Sequence, residues 1–374
     1  MNSKRLTLTA LLAASIAAMS PLSAFAAEEA RELRLLQVAP FTGNLKSTGE
    51  FLNQAIAAYV KDVQESGEVP FRIVFEKEDD GYVAEKTVSI AQQKIKTFRP
   101  HAMVGVVGTS NTKLLIEKNI LTDAGIPLIG VRTGAPLYSP NVIHLKASYA
   151  NEVNKLLELS SVQGLDTVGV VYQGDEFGQD GLSAAQAFAS KNPYIKIVAQ
   201  SPYTRNTIEI GPAVATMLSA KPKSIVIIGN TNATAAFITE LRKTNKTSKI
   251  FTISTADPKL IYDKAKEASI GVVFSQVVPD PYEPRFAVAT DYRKFVEKNK
   301  LNDNSTTFEG YLIARITIDA AKRIKGPFTS QGMLSELRSK PVNLGGMRFN
   351  LTDPQRAISF VDTSIIGTNG QIFY

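Results

Sequence analysis

The sequence alternates short runs of β-branched and other apolar residues with longer amphipathic stretches. The short runs predict strands at residues 33–38, 72–76, 102–107, 128–131, 167–172, 195–200, 224–228, 250–253 and 271–277. The amphipathic stretches predict helices at residues 49–66, 83–96, 111–124, 150–163, 178–191 and 233–244. Near-continuous apolar strands that alternate with helices indicate an α/β fold, with parallel sheets covered by helices on both faces.

Two segments of the chain repeat one pattern. Residues 99–111 and residues 221–232 each begin with a basic residue and Pro, continue as an apolar strand, and end in Gly followed by small polar residues. In both cases a predicted helix follows, and a second strand then reaches a Thr- or Ser-rich end, at 132–134 and at 254–256. We interpret the repeat as two doubly wound, Rossmann-like lobes. Because ligands of such sheets bind beyond the carboxyl ends of the strands, both polar clusters are expected to line one cleft.

The first 26 residues have the pattern of an export signal. Lys4 and Arg5 precede an apolar run at residues 6–19, and Ala-Phe-Ala at 24–26 predicts cleavage before Ala27. A membrane anchor is the weaker alternative, because the run is shorter than the roughly 20 residues of a membrane helix and Pro21 follows it. The sequence contains no Cys, and hence neither disulfides nor a lipid-modified Cys. We therefore expect a cleaved signal peptide and a periplasmic protein without a lipid anchor.

Length and charge restrict the function classes. A chain of 374 residues accommodates two domains. The formal net charge of +7 comes from basic residues that are interleaved with acidic ones, and Trp is absent. Nucleic-acid binding favours a basic stripe with stacking aromatic residues, so we expect no nucleic-acid partner.

The motifs of common α/β enzymes are missing from the sequence. It contains neither a G-x-S-x-G nucleophile elbow nor a G-x-x-x-x-G-K-[ST] phosphate loop. The two histidines, His101 and His144, are each placed beside no plausible nucleophile and are interpreted as structural. We interpret the carboxylates Asp79 and Asp80 as a solvated turn before Gly81 rather than as a metal site. The chain is expected to be non-enzymatic, without a cofactor or a bound metal.

Five motifs in order resemble one known family. They lie at residues 40–49 (Pro-Phe-Thr-Gly through Gly49), 78–82 (Glu-Asp-Asp-Gly-Tyr), 108–112 (Gly-Thr-Ser-Asn-Thr), 124–127 (Ala-Gly-Ile-Pro) and 171–178. Together they resemble the type I periplasmic solute-binding proteins of the branched-chain amino-acid ABC transporter family. The resemblance covers essentially the whole chain after the predicted signal.

The resemblance implies two lobes joined by three crossover strands, near residues 146–147, 278–280 and 342–345. Lobe 1 would comprise residues 27–146 and 281–342, and lobe 2 residues 147–280 and 343–374. The resemblance implies a small-molecule ligand between closing lobes and a permease of the inner membrane as partner. Presentation of the ligand to a membrane sensor is the alternative that the residues leave open. We expect a monomer.

The candidate ligand-binding residues of lobe 1 lie at a predicted helix start. Three polar side chains there, with free backbone N–H groups and the positive end of the helix dipole, suit a carboxylate. An N-cap role for Ser110 or Asn111 is the alternative. The resemblance implies a ligand contact at Ser110 and a second one from the loop that carries Arg132 and Thr133. The set in lobe 1 is Ser110, Asn111, Thr112, Arg132 and Thr133.

In lobe 2 the sequence departs from the amino-acid binders. Where the family carries an acidic residue for the ligand's ammonium group, this chain has Thr255, and Asn230 stands where an aromatic contact is common. Because a buried ammonium without a carboxylate is costly, either Asp175 or Glu176 supplies the charge or the ligand is not an α-amino acid. A turn or cap role is equally open for Asp175. For the rings of Tyr149 and Phe177, stacking on a ligand and packing within their own lobe are equally open. The candidate set in lobe 2 is Tyr149, Asp175, Phe177, Asn230, Thr255 and Gln276.

Thr306 and Glu309 have the spacing of a helix-capping box, with Thr306 bonding to the helix backbone and Glu309 bonding back. A ligand contact is the alternative role for Glu309.

Overall fold

Two separate β-sheets, each covered by helices, form the framework of the described part of the protein. In the computed structural model, which describes residues 31–353 and 355–374, the first sheet has the strand order β2-β1-β3-β4-β5. Its strands are all parallel: β1 (Glu32–Ala39), β2 (Arg72–Asp79), β3 (Ala102–Val104), β4 (Leu128–Ile129) and β5 (Val142–Ile143). The predicted signal peptide lies outside the described residues.

The second sheet is larger and mixed, with the order β14-β13-β10-β9-β8-β6-β7. Five parallel strands, β6 (Thr167–Gln173), β7 (Lys196–Tyr203), β8 (Ser224–Ile228), β9 (Lys249–Thr252) and β10 (Val273–Gln276), are extended by antiparallel β13 (Asp362–Ile366) and β14 (Ile372–Phe373). A separate hairpin consists of β11 (Val342–Leu344) and β12 (Met347–Phe349).

Twelve α-helices in the described part of the chain cover the two sheets. They are α1 (Lys46–Glu65), α2 (Ala84–Thr97), α3 (Thr109–Glu117), α4 (Ile120–Asp123), α5 (Tyr149–Val162), α6 (Glu176–Lys191), α7 (Gly211–Ala220), α8 (Thr231–Arg242), α9 (Pro258–Ala265), α10 (Ala287–Asn299), α11 (Ser305–Arg323) and α12 (Ser330–Arg338). The helix predicted at 111–124 is interrupted at Asn119, which adopts a left-handed conformation (φ 53°) that Asn tolerates. Within the described residues, no helix is both long and apolar enough to span a membrane.

Side-chain alternation explains why each sheet is buried on both faces. In β8, Ile225 and Ile227 pack into one core cluster, and Val226 and Ile228 pack into another on the opposite face. Leu35 and Leu36 of β1 are divided in the same way between two clusters. Each fully buried side chain of this size stabilises the fold by about 1.5–3 kcal/mol relative to its exposed state. The prediction of two α/β lobes with sheets covered on both faces is confirmed, with antiparallel strands added at one edge of the second sheet.

The segment before β13 packs differently from the predicted lobe boundary. Leu344, Phe349 and Ile358 belong to the core cluster that also contains Leu33 of β1. The chain then joins the second sheet through β13, whose Ile365 pairs with Val273. We therefore propose that the third crossing lies near residues 359–361 rather than at 342–345, because the apolar residues of the hairpin segment are buried against α10 and α11.

Candidate ligand-binding site

The carboxyl ends of the parallel strands of the two sheets face each other across an interlobe cleft. A cavity of about 30 Å³ lies in this cleft. Its lining combines aliphatic, aromatic and polar side chains from both lobes: Leu45, Thr48, Tyr82, Val107, Gly108, Thr109, Arg132, Tyr149, Phe177, Asn230 and Thr255. A cavity of this volume has room for about one water molecule. Side chains of each lobe form hydrogen bonds with the other lobe around it, and we call this the closed arrangement of the two lobes.

Two helices begin at the cleft. Helix α3 starts directly after Gly108, whose φ of 110° and close approach leave no room for a side chain, since a Cβ would lie 2.7 Å from the side chain of Tyr82. The hydroxyls of Thr109 and Thr133 are 2.7 Å apart. Helix α8 starts after Asn230, whose Oδ1 accepts hydrogen bonds from two backbone N–H groups at 3.1 Å each. The positive ends of both helix dipoles therefore lie beside the cleft, where they favour a negatively charged ligand group.

Arg132 is the buried cation of the cleft. Its Nη1 donates to Oε1 of Glu309 at 2.5 Å, and the two side chains are 3% and 9% exposed. Its Nη2 donates to the carbonyl oxygen of Ser254, in the other lobe, at 3.4 Å. An unpaired guanidinium at this depth would be strongly destabilising, so Glu309 is its compensating partner.

The capping-box prediction for α11 is wrong. Asn304 is the N-cap residue, and its Oδ1 accepts from the backbone N–H of Thr307 at 2.9 Å. Glu309 extends instead from the second turn of α11 toward Arg132. An Asn preceding the predicted cap by two residues is an equally good capping residue, so the sequence alone did not separate the two helix starts.

Three aromatic rings enclose the cleft: those of Tyr82, Tyr149 and Phe177. The rings of Tyr149 and Phe177 have centroids 5.0 Å apart and are tilted by 54°. Burial raises the pKa of Tyr82 to about 12 and raises the pKa of Tyr149 as well, so both phenols are neutral at physiological pH. The three rings can therefore cover the apolar body of a ligand without adding charge.

Arg205, in the loop after β7, joins the lobes on the other side of the cleft. Its Nη2 donates to the carbonyl oxygen of Tyr82 at 2.8 Å and to Oδ1 of Asn111 at 2.9 Å, both in the first lobe. Its Nη1 donates to Oδ2 of Asp175, in its own lobe, at 3.1 Å. The guanidinium also lies 4.1 Å from the centroid of the Tyr82 ring. The sequence carried no signal for this role, because a single basic residue in a loop has the pattern of a solvated side chain.

A second contact between the lobes involves Ser110 and Lys113 of α3. The Ser110 hydroxyl donates to Glu176 of α6, and the Lys113 ammonium lies 3.4 Å from the same carboxylate. These interactions lower the pKa of Glu176. Ser110 and Glu176 therefore satisfy each other across the entrance to the cleft in the closed arrangement.

The structure brings five of the predicted residues together at the cavity: Arg132, Tyr149, Phe177, Asn230 and Thr255. Six others lie outside its lining: Ser110, Asn111, Thr112, Thr133, Asp175 and Gln276. Asn111 is fully buried and donates to the Thr87 hydroxyl at 2.8 Å, while the Thr112 hydroxyl donates to the carbonyl oxygen of Gly108 at 2.9 Å. Asp175 is the N-cap of α6, which was one of its two predicted roles. Thr109 lines the cavity but was not predicted; the predicted residue was its neighbour, Ser110.

The interpretation of Asp80 as a solvated turn residue is wrong. Asp80 is fully buried and accepts from the Thr87 hydroxyl at 2.7 Å and from the backbone N–H of Tyr82 at 2.8 Å. Burial raises its pKa, and these hydrogen bonds oppose the shift. Asp80 thereby holds Thr87 and Asn111, and through Asn111 it positions Arg205.

The two histidines have structural partners. Nδ1 of His101 accepts from the backbone N–H of Arg34 at 3.1 Å, and Nε2 of His144 lies 2.8 Å from the carbonyl oxygen of Leu137. Burial lowers the pKa of each imidazole to about 4. Among the described residues, no group of three or more His, Cys, Asp or Glu side chains is arranged to hold a metal ion.

Comparison with known proteins places this geometry in a family. The family model described as "Periplasmic binding protein" matches residues 32–359. No curated protein matches the sequence. Among solved structures, a substrate-binding periplasmic protein from Ralstonia solanacearum is 25% identical, with a TM-score of 0.84 over 91% of this chain and 99% of that chain.

Two more distant structures share the fold. A possible leucine/isoleucine/valine-binding protein from Rhodopirellula baltica is 23% identical, with a TM-score of 0.86 over 92% of this chain and 97% of that one. An ABC transporter solute-binding protein from R. palustris, solved with benzoate, is 16% identical, with a TM-score of 0.80 over 91% and 95% of the two chains. The family match covers most of this chain and shows that the chain belongs to the periplasmic binding proteins, with their type I fold.

Proposed function

We propose that the protein captures a small carboxylate with an apolar or aromatic body between its two lobes and delivers it to an ABC importer. The observation that carries the proposal is the charge of the interlobe cleft. Among the described residues that line its cavity, Arg132 is the only charged side chain. A buried guanidinium, two helix N-termini and several hydroxyl and amide groups favour a carboxylate.

Three buried carboxylates near the cleft, those of Glu309, Asp175 and Glu152, support a ligand without an ammonium group. Glu309 is paired with Arg132, and Asp175 is paired with Arg205 at 3.1 Å. Glu152, which is fully buried, lies 3.6 Å from the Lys146 ammonium. Each of these acids already has a cationic partner, and position 255 carries a Thr whose hydroxyl donates to the carbonyl oxygen of Gly229 at 2.8 Å. In the structure none of these three carboxylates is free for the ammonium of an α-amino acid, which would gain a counter-charge only if the ligand carboxylate first displaced Glu309 from Arg132.

Binding of the carboxylate at Arg132 would replace the Glu309 contact. The rings of Tyr82, Tyr149 and Phe177 would cover the ligand's body, and the contacts of Arg205 and of Ser110 with the opposite lobe would stabilise closure. The closed form would be what the permease recognises. Export to the periplasm and a monomeric state belong to the same proposal.

The test is a thermal-shift comparison of ligands that differ only in the ammonium group. We expect 4-methylpentanoate and 3-phenylpropanoate to raise the unfolding midpoint, because a ligand that binds only the folded state stabilises it. Leucine and phenylalanine, which have the same bodies, should produce a smaller rise at the same concentration. Stabilisation by the two amino acids and not by the two acids would refute the carboxylate proposal while leaving the family assignment intact.

A further inference from the structure

A second, larger cavity lies beside the second crossing of the chain between the lobes. It has a volume of about 410 Å³, within the range of small-molecule sites. Residues of both lobes and of the crossing segment 280–282 line this hinge-side cavity, together with the end of the chain at 372–374. It is separate from the interlobe cleft, with which it shares no lining residue.

The charge of the hinge-side cavity is negative. Three aspartates line it, Asp257, Asp280 and Asp303, against one cationic side chain, Lys259. Asp257 and the last residue of β10, Gln276, come from the second lobe. Asp303 and Ser305 come from the start of α11, a helix whose apolar residues pack against the first sheet. The acidic groups therefore converge from two lobes rather than from one turn of one helix.

Two of the buried side chains have an acceptor oxygen without a hydrogen-bond partner. Asp257, 3% exposed, uses Oδ1 to accept from the backbone N–H of Leu260 at 2.9 Å, but its Oδ2 has no partner among the described residues. Gln276, 1% exposed, donates to the Ser364 hydroxyl at 2.8 Å, and its Oε1 is likewise without a donor. Oδ1 of Asp303 and the hydroxyl of Ser305 add two more such atoms. Unpaired buried acceptors are uncommon in folded proteins and point to a donor that completes them.

We propose that the hinge-side cavity binds an organic ammonium ion with a short apolar body. An ammonium group supplies three N–H donors and a positive charge, which matches the unpaired oxygens of Asp257, Gln276 and Asp303. The rings of Tyr282, Phe373 and Tyr374 line the same cavity and offer apolar surface and cation–π contacts to the rest of the ligand. A metal ion is not favoured, because the described acidic side chains form no metal-binding group.

The position of the hinge-side cavity gives it a consequence for the interlobe cleft. An ammonium ion held by Asp257 and Asp303 would connect the second lobe to the start of α11. A ligand that binds one arrangement of the lobes better shifts the equilibrium toward it, and the coupling is reciprocal. The amine is therefore expected to tighten carboxylate binding in the interlobe cleft. The site itself does not depend on the identity of the cleft ligand.

Calorimetric titration of the whole protein with n-butylammonium and 1,4-diaminobutane tests the proposal. We expect saturable binding of both amines, with 1-butanol and sodium chloride as controls for the apolar body and for ionic strength. Asp257→Asn should weaken amine binding about tenfold or more, since it removes the charge of the carboxylate that pairs with the ammonium. Asn is as good an N-cap as Asp, so α9 is expected to keep its start.

The matched control is Asp263→Asn, which removes an exposed carboxylate from the same helix and should leave amine binding within about twofold of the wild type, as expected for an exposed charge. Asp303→Asn removes the carboxylate that the other lobe contributes, and it should also weaken amine binding. No saturable heat up to about 10 mM amine would overturn the proposal. Unchanged amine affinity in both Asp257→Asn and Asp303→Asn would overturn it as well, as would binding of Mg²⁺ or Ca²⁺ with none of either amine.

Discussion

Replacing Glu309 with Gln separates a carboxylate ligand from an amino-acid ligand. The substitution keeps an acceptor oxygen beside Arg132 but removes the negative charge that compensates the buried guanidinium. Arg132 and Glu309 are 3% and 9% exposed and 2.5 Å apart, so solvent can do little to replace the lost charge. Breaking a buried pair by removing one partner costs about 3–5 kcal/mol, and because an acceptor is retained we expect a loss of about 3 kcal/mol in the free energy of unfolding.

The same substitution should tighten binding of the ligand. In the wild type a ligand carboxylate competes with Glu309 for Arg132, whereas in Glu309→Gln it meets a guanidinium without a counter-charge. Part of the lost stability then returns on binding, and about 1.4–2.8 kcal/mol corresponds to a ten- to hundredfold gain in affinity. If Glu309 instead contacted a ligand ammonium, the variant would bind its ligand more weakly than the wild type.

Urea unfolding with linear extrapolation measures the stability, and calorimetric titration with 4-methylpentanoate measures the affinity. The matched control is Asp291→Asn. Asp291 pairs with Arg315 of α11 at 2.9 Å, and the side chains of Arg315 and Asp291 are 23% and 46% exposed. That change should cost less than about 1 kcal/mol and leave the affinity unchanged. A loss below about 1 kcal/mol in Glu309→Gln would refute the reasoning from burial. Weaker binding of 4-methylpentanoate would refute the competition between the two carboxylates.

Arg205→Met should weaken binding of the cleft ligand about tenfold, because it removes charge-assisted hydrogen bonds to Tyr82 and Asn111 at 2.8 and 2.9 Å. Small-angle scattering should then give a larger radius of gyration than for the wild type at equal ligand concentration. An unchanged radius would contradict the role of Arg205 in closure. Thr255→Asp should shift preference from 4-methylpentanoate toward leucine by supplying a counter-charge for an ammonium, and an unaltered preference in parallel titrations would show that position 255 does not face that group. His144, with its pKa lowered to about 4 by burial, takes up a proton less readily in the folded than in the unfolded state. The free energy of unfolding should thus fall by up to about 3 kcal/mol as pH falls from about 6.5 toward 4. In urea unfolding at pH 6.5 and 5, His144→Gln should show a smaller loss of stability between the two pH values than the wild type. An identical loss in both proteins would refute this role of His144.

Regular elements were predictable where the apolar period is strong. The strand predicted at 224–228 coincides with β8, and the helices predicted at 150–163 and 178–191 begin within two residues of α5 and α6. The strand predicted at 128–131 contains β4, whereas the two-residue β5 was not predicted, because its pairing with β4 rather than a local pattern defines it. The third crossing that we propose near 359–361 had no local signal, because it follows from the packing of the hairpin β11–β12 in the core cluster of the first sheet.

The candidate site was predictable as a place but only partly as a set of residues. Helix starts after Gly108 and before Ala233 are local features, and both lie at the cleft. Which residue of 108–112 lines the cavity depends on the register of the first turn, and a shift of one position exchanges Thr109 for Ser110. Glu309 lies 177 residues from its partner Arg132. No local pattern connects two such positions, so the capping interpretation was the natural one.

The exchange of Glu309 for a ligand carboxylate has a consequence for affinity. One anion replaces another beside the same guanidinium, so the ion pair selects the class of ligand but adds little net binding energy. Micromolar affinity corresponds to about 8 kcal/mol, which must then come chiefly from the apolar body of the ligand. At about 25 cal/mol per Å², this needs roughly 300 Å² of apolar surface removed from water, counting the ligand and the rings of Tyr82, Tyr149 and Phe177 together. Acetate is too small to bury that area, whereas a six-carbon or aromatic acid approaches it, and affinity should therefore rise with the size of the apolar body until the three rings are covered.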